Sequence, residues 1–303
     1  MNKSKINKIT GPLILVSAAM IWGLSFVAQK NGMQYVEGFT FTTIRMFLAA
    51  FTLLPIVLIN RKKNNSSIKT ADKKNTKKTF TAIILVGLCL FTGINLQQFA
   101  FNYIEAGKVG FITALYMLLV PIIGLFLKKR PPFTVWIGVA LGTAALYLIC
   151  MGGKSEFSIG KGELLTLLCA VAFALHIIVI DRFASEVDSI ELSCGQFFVT
   201  AVLSLPLMLI FEKPNWAGIS QALIPIVYAG VFSSAVAFTF QIIGQKRTEP
   251  AIASMLLCLE SVFSVIFSFI LPPHERMAIP EYIGCGIMFA AILIAQITPK
   301  KSE

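Results

Sequence analysis

Two stretches, GPLILVSAAMIWGLSFVAQ at residues 11–29 and GELLTLLCAVAFALHIIVI at residues 162–180, decide how this chain folds. Each is predominantly apolar over the ~20 residues that a helix needs to cross ~30 Å of hydrocarbon. Laid over one another at a shift of 151, they match Gly11 with Gly162, Leu13 with Leu164, Ala19 with Ala170, Trp22 with Phe173 and Leu24 with Leu175. A helix that recurs with its glycines and aromatics in order marks a duplicated unit, and the rest of the chain extends the match.

The same shift carries Phe47 onto Phe198, Ala50 onto Ala201, Leu54 onto Leu205 and Pro55 onto Pro206. A shift of 146 aligns Ile137-Gly138 with Ile283-Gly284 and Ala144-Ala145 with Ala290-Ala291. The shift shortens because the hydrophilic stretch 61–79 is longer than its counterpart near 212–220. Apolar runs at roughly 12–30, 39–59, 80–102, 109–127, 134–151, 162–180, 191–211, 221–243, 250–270 and 281–298 predict ten spanning helices. Each half, residues 1–152 and 153–303, holds five. An odd number makes the second half enter the membrane from the opposite side, the inverted-repeat plan of many carriers. The expected fold is therefore an all-α integral membrane protein, ten transmembrane helices in two inverted five-helix repeats.

Composition excludes several other classes. Of 303 residues, 56% are hydrophobic and 14% charged, against about a quarter charged in soluble domains. Continuous apolarity rules out the alternating pattern of a barrel strand, and inside lipid a helix satisfies its own backbone. The net charge of +11 is explained by loops rather than by nucleic acid. With the N-terminus inside, 19 Lys and Arg fall on that side and 6 on the other, which predicts both termini cytoplasmic. Eight of the 19 lie in 61–79, expected to be a disordered basic loop. Val16-Ser17-Ala18-Ala19 resembles a cleavage site, but the apolar run continues through Phe26 and Val27, so it reads as the first span. The six cysteines all fall inside apolar runs without a CxxC pair, which predicts packing residues and neither disulfides nor zinc. HExxH, GxSxG, P-loop and GxGxxG motifs are absent, so no catalytic site, cofactor or ATP-driven step is expected.

Trp22-Gly23-Leu24-Ser25-Phe26, Arg45-Met46-Phe47-Leu48-Ala49, Ala106-Gly107, Val120-Pro121 and Leu259-Glu260-Ser261-Val262-Phe263, in this order and spacing, resemble the drug/metabolite transporter superfamily and its EamA-type family. Ser261 stands where that family usually has Pro, and Lys128-Lys129-Arg130 where a Glu-Arg pair often closes the fourth helix. The resemblance implies a carrier, commonly an exporter of amino acids or related metabolites, with a central cavity and with helices five and ten peripheral. The basic-inside pattern and the absence of a transit segment suit a bacterial cytoplasmic membrane as location.

Residues that an apolar span carries at a cost are the candidate site. Glu260 sits mid-span, where a charge costs about 2.5–3.5 kcal/mol on insertion scales; it reads as a proton or cation site, or as a protonated Glu bonded to a neighbouring helix. Arg45 reads as a ligand for a substrate carboxylate, as a snorkelling side chain, or as the partner of Glu260. Its mate at shift 151 is Gln196, polar as well. His176 and its mate Ser25 each follow an aromatic, Phe173 or Trp22, by three positions and so share its face. Gln97, Gln98, Tyr116, Gln241 and Gln245 suit hydrogen bonds to a polar solute or between helices. The candidate cavity set is Trp22, Ser25, Arg45, Gln97, Gln98, Tyr116, His176, Gln196, Gln241 and Glu260. Gly138-x-x-x-Gly142 and Gly286-x-x-x-Ala290 predict close helix packing, within the chain or in a homodimer.

The expected function is alternating-access transport of a small polar or amphipathic metabolite. The expected partners are that solute and the bilayer. A membrane scaffold or receptor, which would not need symmetry-related buried polar groups, and an intramembrane lipid-modifying enzyme, which usually needs clustered Asp, His or Arg, are the alternatives.

Overall fold

The computed structural model describes residues 3–65, 73–104, 106–151, 160–270 and 279–296. Among them there is no strand. Helices follow the apolar runs: α1 Lys3–Gly32, α2 Gly38–Asn65, α3 Lys73–Ala100, α4 in two pieces Ala106–Ala114 and Tyr116–Phe126, and α5 Phe133–Met151. Then come α6 Lys161–Phe183, α7 Ser189–Phe211 and a short turn of helix Trp216–Gln221. The chain continues as α8, made of Leu223–Val227, a π-helical stretch Tyr228–Phe238 and Thr239–Gln245. It ends with α9, in pieces Pro250–Leu257 and Leu259–Ile270, and α10 Ile279–Gln296. Seven segments, over α1–α4 and α6–α8, are long and apolar enough to cross a membrane, and the segments Phe133–Ile149, Pro250–Ser264 and Ile279–Ala295 are apolar but shorter.

Two departures from the sequence reading have simple causes. The basic stretch is helical at both ends, since α2 runs on through residue 65 and α3 begins at 73. Lys and Arg are good helix formers, and Arg61 pairs with Glu191 at the start of α7. The second departure is that α4, α8 and α9 are not continuous α-helices. The breaks in α4 and α9 meet each other: Cys258, the residue between the pieces of α9, directs its Sγ to the carbonyl of Ala114 at 3.4 Å. Residues 66–72, the domain boundary at 152/153, the Pro272-Pro273-His274 loop and the C-terminal lysines lie outside the described residues.

The helices pack in pairs drawn from opposite halves: α5 on α10, α2 on α7, α3 on α6, and α1 on α8 and α9. The α5–α10 contact is reciprocal. A Cβ on Gly138 would lie 2.8 Å from the Ala291 carbonyl oxygen, and one on Gly284 would lie 2.9 Å from that of Ala145. Within α10 the residue at the contact with α5 is thus Gly284; Gly286 meets nothing within 4 Å, so the small-residue pattern read at 286–290 does not serve this intramolecular contact.

One apolar core joins α1, α4, α5, α6, α9 and α10 through Leu15, Met117, Leu146, Met255 and Met288. A second joins α2, α3, α7 and α8 through Met46, Leu90, Phe197 and Phe238. The outer faces are apolar too: Leu13, Ile59, Phe126, Phe211 and Leu293 are exposed. In water so wide an apolar surface would drive aggregation; in a bilayer it is the lipid face. The protein is a multi-pass membrane protein.

Candidate solute cavity

Between the two halves lies a cavity lined from α1 by Trp22, Ser25, Phe26 and Gln29 and from α2 by Arg45. Further wall comes from Gln97 of α3, Thr113 and Tyr116 of α4, Phe173 and Ile177 of α6, Ser233 and Gln241 of α8, and Leu257 and Glu260 of α9. Among the described residues, none of α5 or α10 lines it. About 50 Å³ is open to water centres, room for a few waters at the ~10–15 Å³ each requires.

A hydrogen-bonded chain organises one wall. Arg45 is 1% exposed, and its Nη1 donates to Gln29 Oε1 at 2.8 Å. Gln29 Nε2 donates to Ser25 Oγ at 3.3 Å, and Ser25 Oγ to Ser233 Oγ at 2.8 Å. Trp22 Nε1 donates to the Ser233 carbonyl at 3.0 Å. That carbonyl sits in the π-helical stretch of α8, a backbone form that recurs at functional sites. Across the cavity Tyr116 Oη donates to Glu260 Oε1 at 3.4 Å, and Gln97 Nε2 to Thr113 Oγ1 at 3.2 Å.

Arg45 and Glu260 do not pair with each other, so that reading of Arg45 is corrected: its partner is an amide, and its Nε has none. Nor does it snorkel, being enclosed with Phe41 beneath its guanidinium at 5.9 Å. An opposite pair of ionisable groups thus shares one cavity with no counter-ion among the described residues.

Seven of the ten sequence candidates line this cavity: Trp22, Ser25, Arg45, Gln97, Tyr116, Gln241 and Glu260. Three do not. His176 and Gln196 bond to each other at 2.9 Å, with Phe173 and Phe238 edge-on to the imidazole. Those rings, not the histidine, face the cavity, so the positional match of His176 with Ser25 does not carry over to side-chain role. Gln98 is fully buried with both amide atoms unpartnered, and its Cγ lies near Gly38 at the start of α2. The sequence reading missed Gln29, Thr113 and Ser233. Gln29 had a signal, lying four residues after Ser25 and seven after Trp22 on one helix face. Thr113 and Ser233 sit among apolar neighbours with none.

At the end of the molecule where α1 finishes, Glu212, the residue after α7, caps α2. Its carboxylate accepts from the backbone N–H of Phe39 and of Thr40, each at 2.6 Å, and from Thr40 Oγ1 at 2.7 Å. At the opposite, basic end Lys78 and Arg182 reach Glu186 at 3.0 and 3.4 Å, and Lys129 pairs with Asp181. The Lys78 hydrogen bond and charge hold the exposed Glu186 carboxyl below its usual range.

Apolar-faced helices around a cavity that holds buried polar and ionisable side chains define the class, a multi-pass membrane protein of the transporter type. The chain belongs to the EamA-like transporter family, which matches residues 9–151 and 160–296. An uncharacterized transporter of Archaeoglobus fulgidus is 27% identical over 296 residues, covering 96% of this chain and 87% of that one. The uncharacterized transporter YoaV of Bacillus subtilis is 24% identical, with 94% and 96% covered. A WAT1-related chloroplastic protein of Arabidopsis thaliana is 23% identical over 93% of this chain and 68% of its own. A solved crystal structure matches the fold with a TM-score of 0.77 at 19% identity, covering 94% of this chain and 96% of that one.

Proposed function

We propose that the chain is a secondary carrier for small zwitterionic metabolites, amino acids first among them, working by alternating access in a cytoplasmic membrane. The observation that carries this reading is the pairing of Arg45 and Glu260 in one cavity without an ion pair between them. A lone buried guanidinium suits a carboxylate, which it can hold through two parallel N–H bonds. A lone buried carboxylate suits an ammonium group or a proton. Glu260, bonded to Tyr116, is the proton-coupling residue of this scheme.

The ten helices would form two inverted halves of five, with both termini on the basic, cytoplasmic side. Reciprocal packing supports this, Gly138 on Ala291 answering Gly284 on Ala145 at the shift of 146 found in the sequence. With about 50 Å³ open to water centres, loading a solute requires the halves to move apart. The direction, export, rests on the family resemblance alone.

The test is counterflow in proteoliposomes with a panel of labelled amino acids. Wild type is expected to exchange at least one of them, with Arg45→Leu lowering kcat/KM at least a hundredfold. Exchange that persists undiminished in Arg45→Leu would remove the carboxylate role. A panel without any exchange by folded protein would overturn the amino-acid reading.

A further inference from the structure

A second space lies at the end of the molecule where α1 finishes, the capped end. It has about 270 Å³ open to water centres and is lined by Met33, Glu37, Gly38, Thr40, Asn102 and Glu212 among others. On α1, Gln29 lines the solute cavity and Met33 lines this space. Four residues of helix rise about 6 Å at 1.5 Å each, so a single helical turn parts the two. Glu212, whose carboxylate holds the first turn of α2, therefore stands in the wall of a space next to the cavity.

The repeat shows what is unusual about this cap. At the shift of 151, Phe39 and Thr40 answer Ile190 and Glu191 at the start of α7. There the two backbone N–H groups go to Asp188 at 3.0 and 2.9 Å, two and three residues back. The mate of Asp188 is Glu37, an acid placed to cap α2 locally. Glu37 is exposed, and the N–H groups go instead to Glu212, 173 and 172 residues away and beyond α7. Glu212 has a mate too, Arg61, which pairs with Glu191, the mate of Thr40. The α2–α7 pair is thus tied at both ends through equivalent positions, with unequal strength. Glu212 is 7% exposed and accepts three hydrogen bonds, and a carboxylate kept from water at a helix N-terminus is held firmly. The Arg61 side chain is 62% exposed, and a surface ion pair of that kind contributes little.

We propose that Glu212 is the latch of a gate at the capped end, and that opening transfers the N–H groups of Phe39 and Thr40 from Glu212 to Glu37. Two acids that share one helix N-terminus make a two-state element. With Glu212 bound, α2 is tied to α7; with Glu37 bound, α2 keeps a cap and is released from α7 at this end. The exchange leaves neither N–H group unmet, so the end can open without fraying the helix.

The proposal rests on the carrier reading for what passes the gate, but its geometry is testable without transport. Phe26→Cys places a thiol in the cavity wall. In sealed vesicles this variant is treated with an impermeant methanethiosulfonate reagent, added to one side at a time. Modification is read at residue 26 by peptide mapping and scaled to an exposed reference thiol. Adding Glu212→Gln puts an NH2 group where an acceptor oxygen stood. It is expected to speed reaction from the capped end at least tenfold and to leave the rate from the basic end within twofold. Adding Glu37→Ala instead is expected to slow reaction from the capped end at least threefold, because the open form loses its cap. No rise with Glu212→Gln in folded protein, or an equal rise from both ends, would overturn the latch. A rate with Glu37→Ala equal to that of its parent would overturn the handover. Should Glu212→Gln fail to fold, Thr40→Val, which removes only the Oγ1 donor, is the second variant, with an expected rise of at least threefold from the capped end. Counterflow separates the two ideas. Exchange without the one-sided rise removes the latch and leaves the carrier, while the rise without exchange removes the amino-acid solute and leaves the latch.

Discussion

Arg45 is held by one amide and one aromatic face rather than by an acid, which makes Gln29 the residue that aims it. Replacing Gln29 with Leu keeps the volume of the wall but frees the guanidinium to rotate. The expected outcome is a rise of at least tenfold in KM for counterflow with a smaller change in kcat, and a lower melting temperature in detergent, because the buried guanidinium loses the partner of its Nη1. The glycines give a sharper test of packing. A methyl on Gly138 or Gly284 would meet a backbone oxygen at under 3 Å, and overpacking of this kind costs about 1–3 kcal/mol. Gly138→Ala and Gly284→Ala should each lower the thermal midpoint measurably, while Gly286→Ala, which meets nothing within 4 Å, should leave it in place.

Helix ends set the next level. The Glu212 carboxylate closes the first turn of α2 from another helix of the opposite half, so it fixes both a cap and a helix pair. Loss of a cap costs about 0.5–2 kcal/mol, and Glu212→Ala should show it in a thermal melt, with hydrogen exchange accelerating at Phe39 and Thr40. The C-terminal end of α4 closes differently. Lys128 takes a φ of +60°, and the N–H of Lys129 bonds back to the Gly124 carbonyl at 2.9 Å, a turn that glycine usually supplies. Lys128→Gly should therefore stabilise the protein by about 0.5–1 kcal/mol. The π-helical part of α8 had no signature in the sequence. Trp22 and Ser25 of another helix engage Ser233 there, and such a contact is set only when α1 and α8 pack.

For the whole molecule the prediction concerns coupling. With Glu260 as the proton site, an imposed pH gradient should drive net uptake of the counterflow solute in wild type. Glu260→Gln should retain exchange and lose that drive. Equal pH-driven uptake by both would make Glu260 a structural residue bonded to Tyr116. The arrangement also predicts that tags at the two termini react with an impermeant reagent from the same side of sealed vesicles.

How much of this was legible in the sequence follows from which interactions are local. Hydropathy located the long apolar helices because the bilayer imposes length and apolarity on each segment by itself, and it gave no sign of the short helix Trp216–Gln221. The matched glycines of the two sequence halves sit at close approaches: Gly11, Gly138, Gly162 and Gly284 all face neighbours that a Cβ would strike. The buried Arg and Glu stood out because lipid makes their presence expensive. Only the tertiary structure decided that Arg45 meets Gln29 and not Glu260, that His176 turns to Gln196 behind two phenyl rings, and that Thr113 and Ser233 join the wall. These outcomes depend on which faces of separate helices meet and on helix breaks at the crossing of α4 and α9. Spacing along one helix tells which residues share a face; it carries no information on what that face will touch.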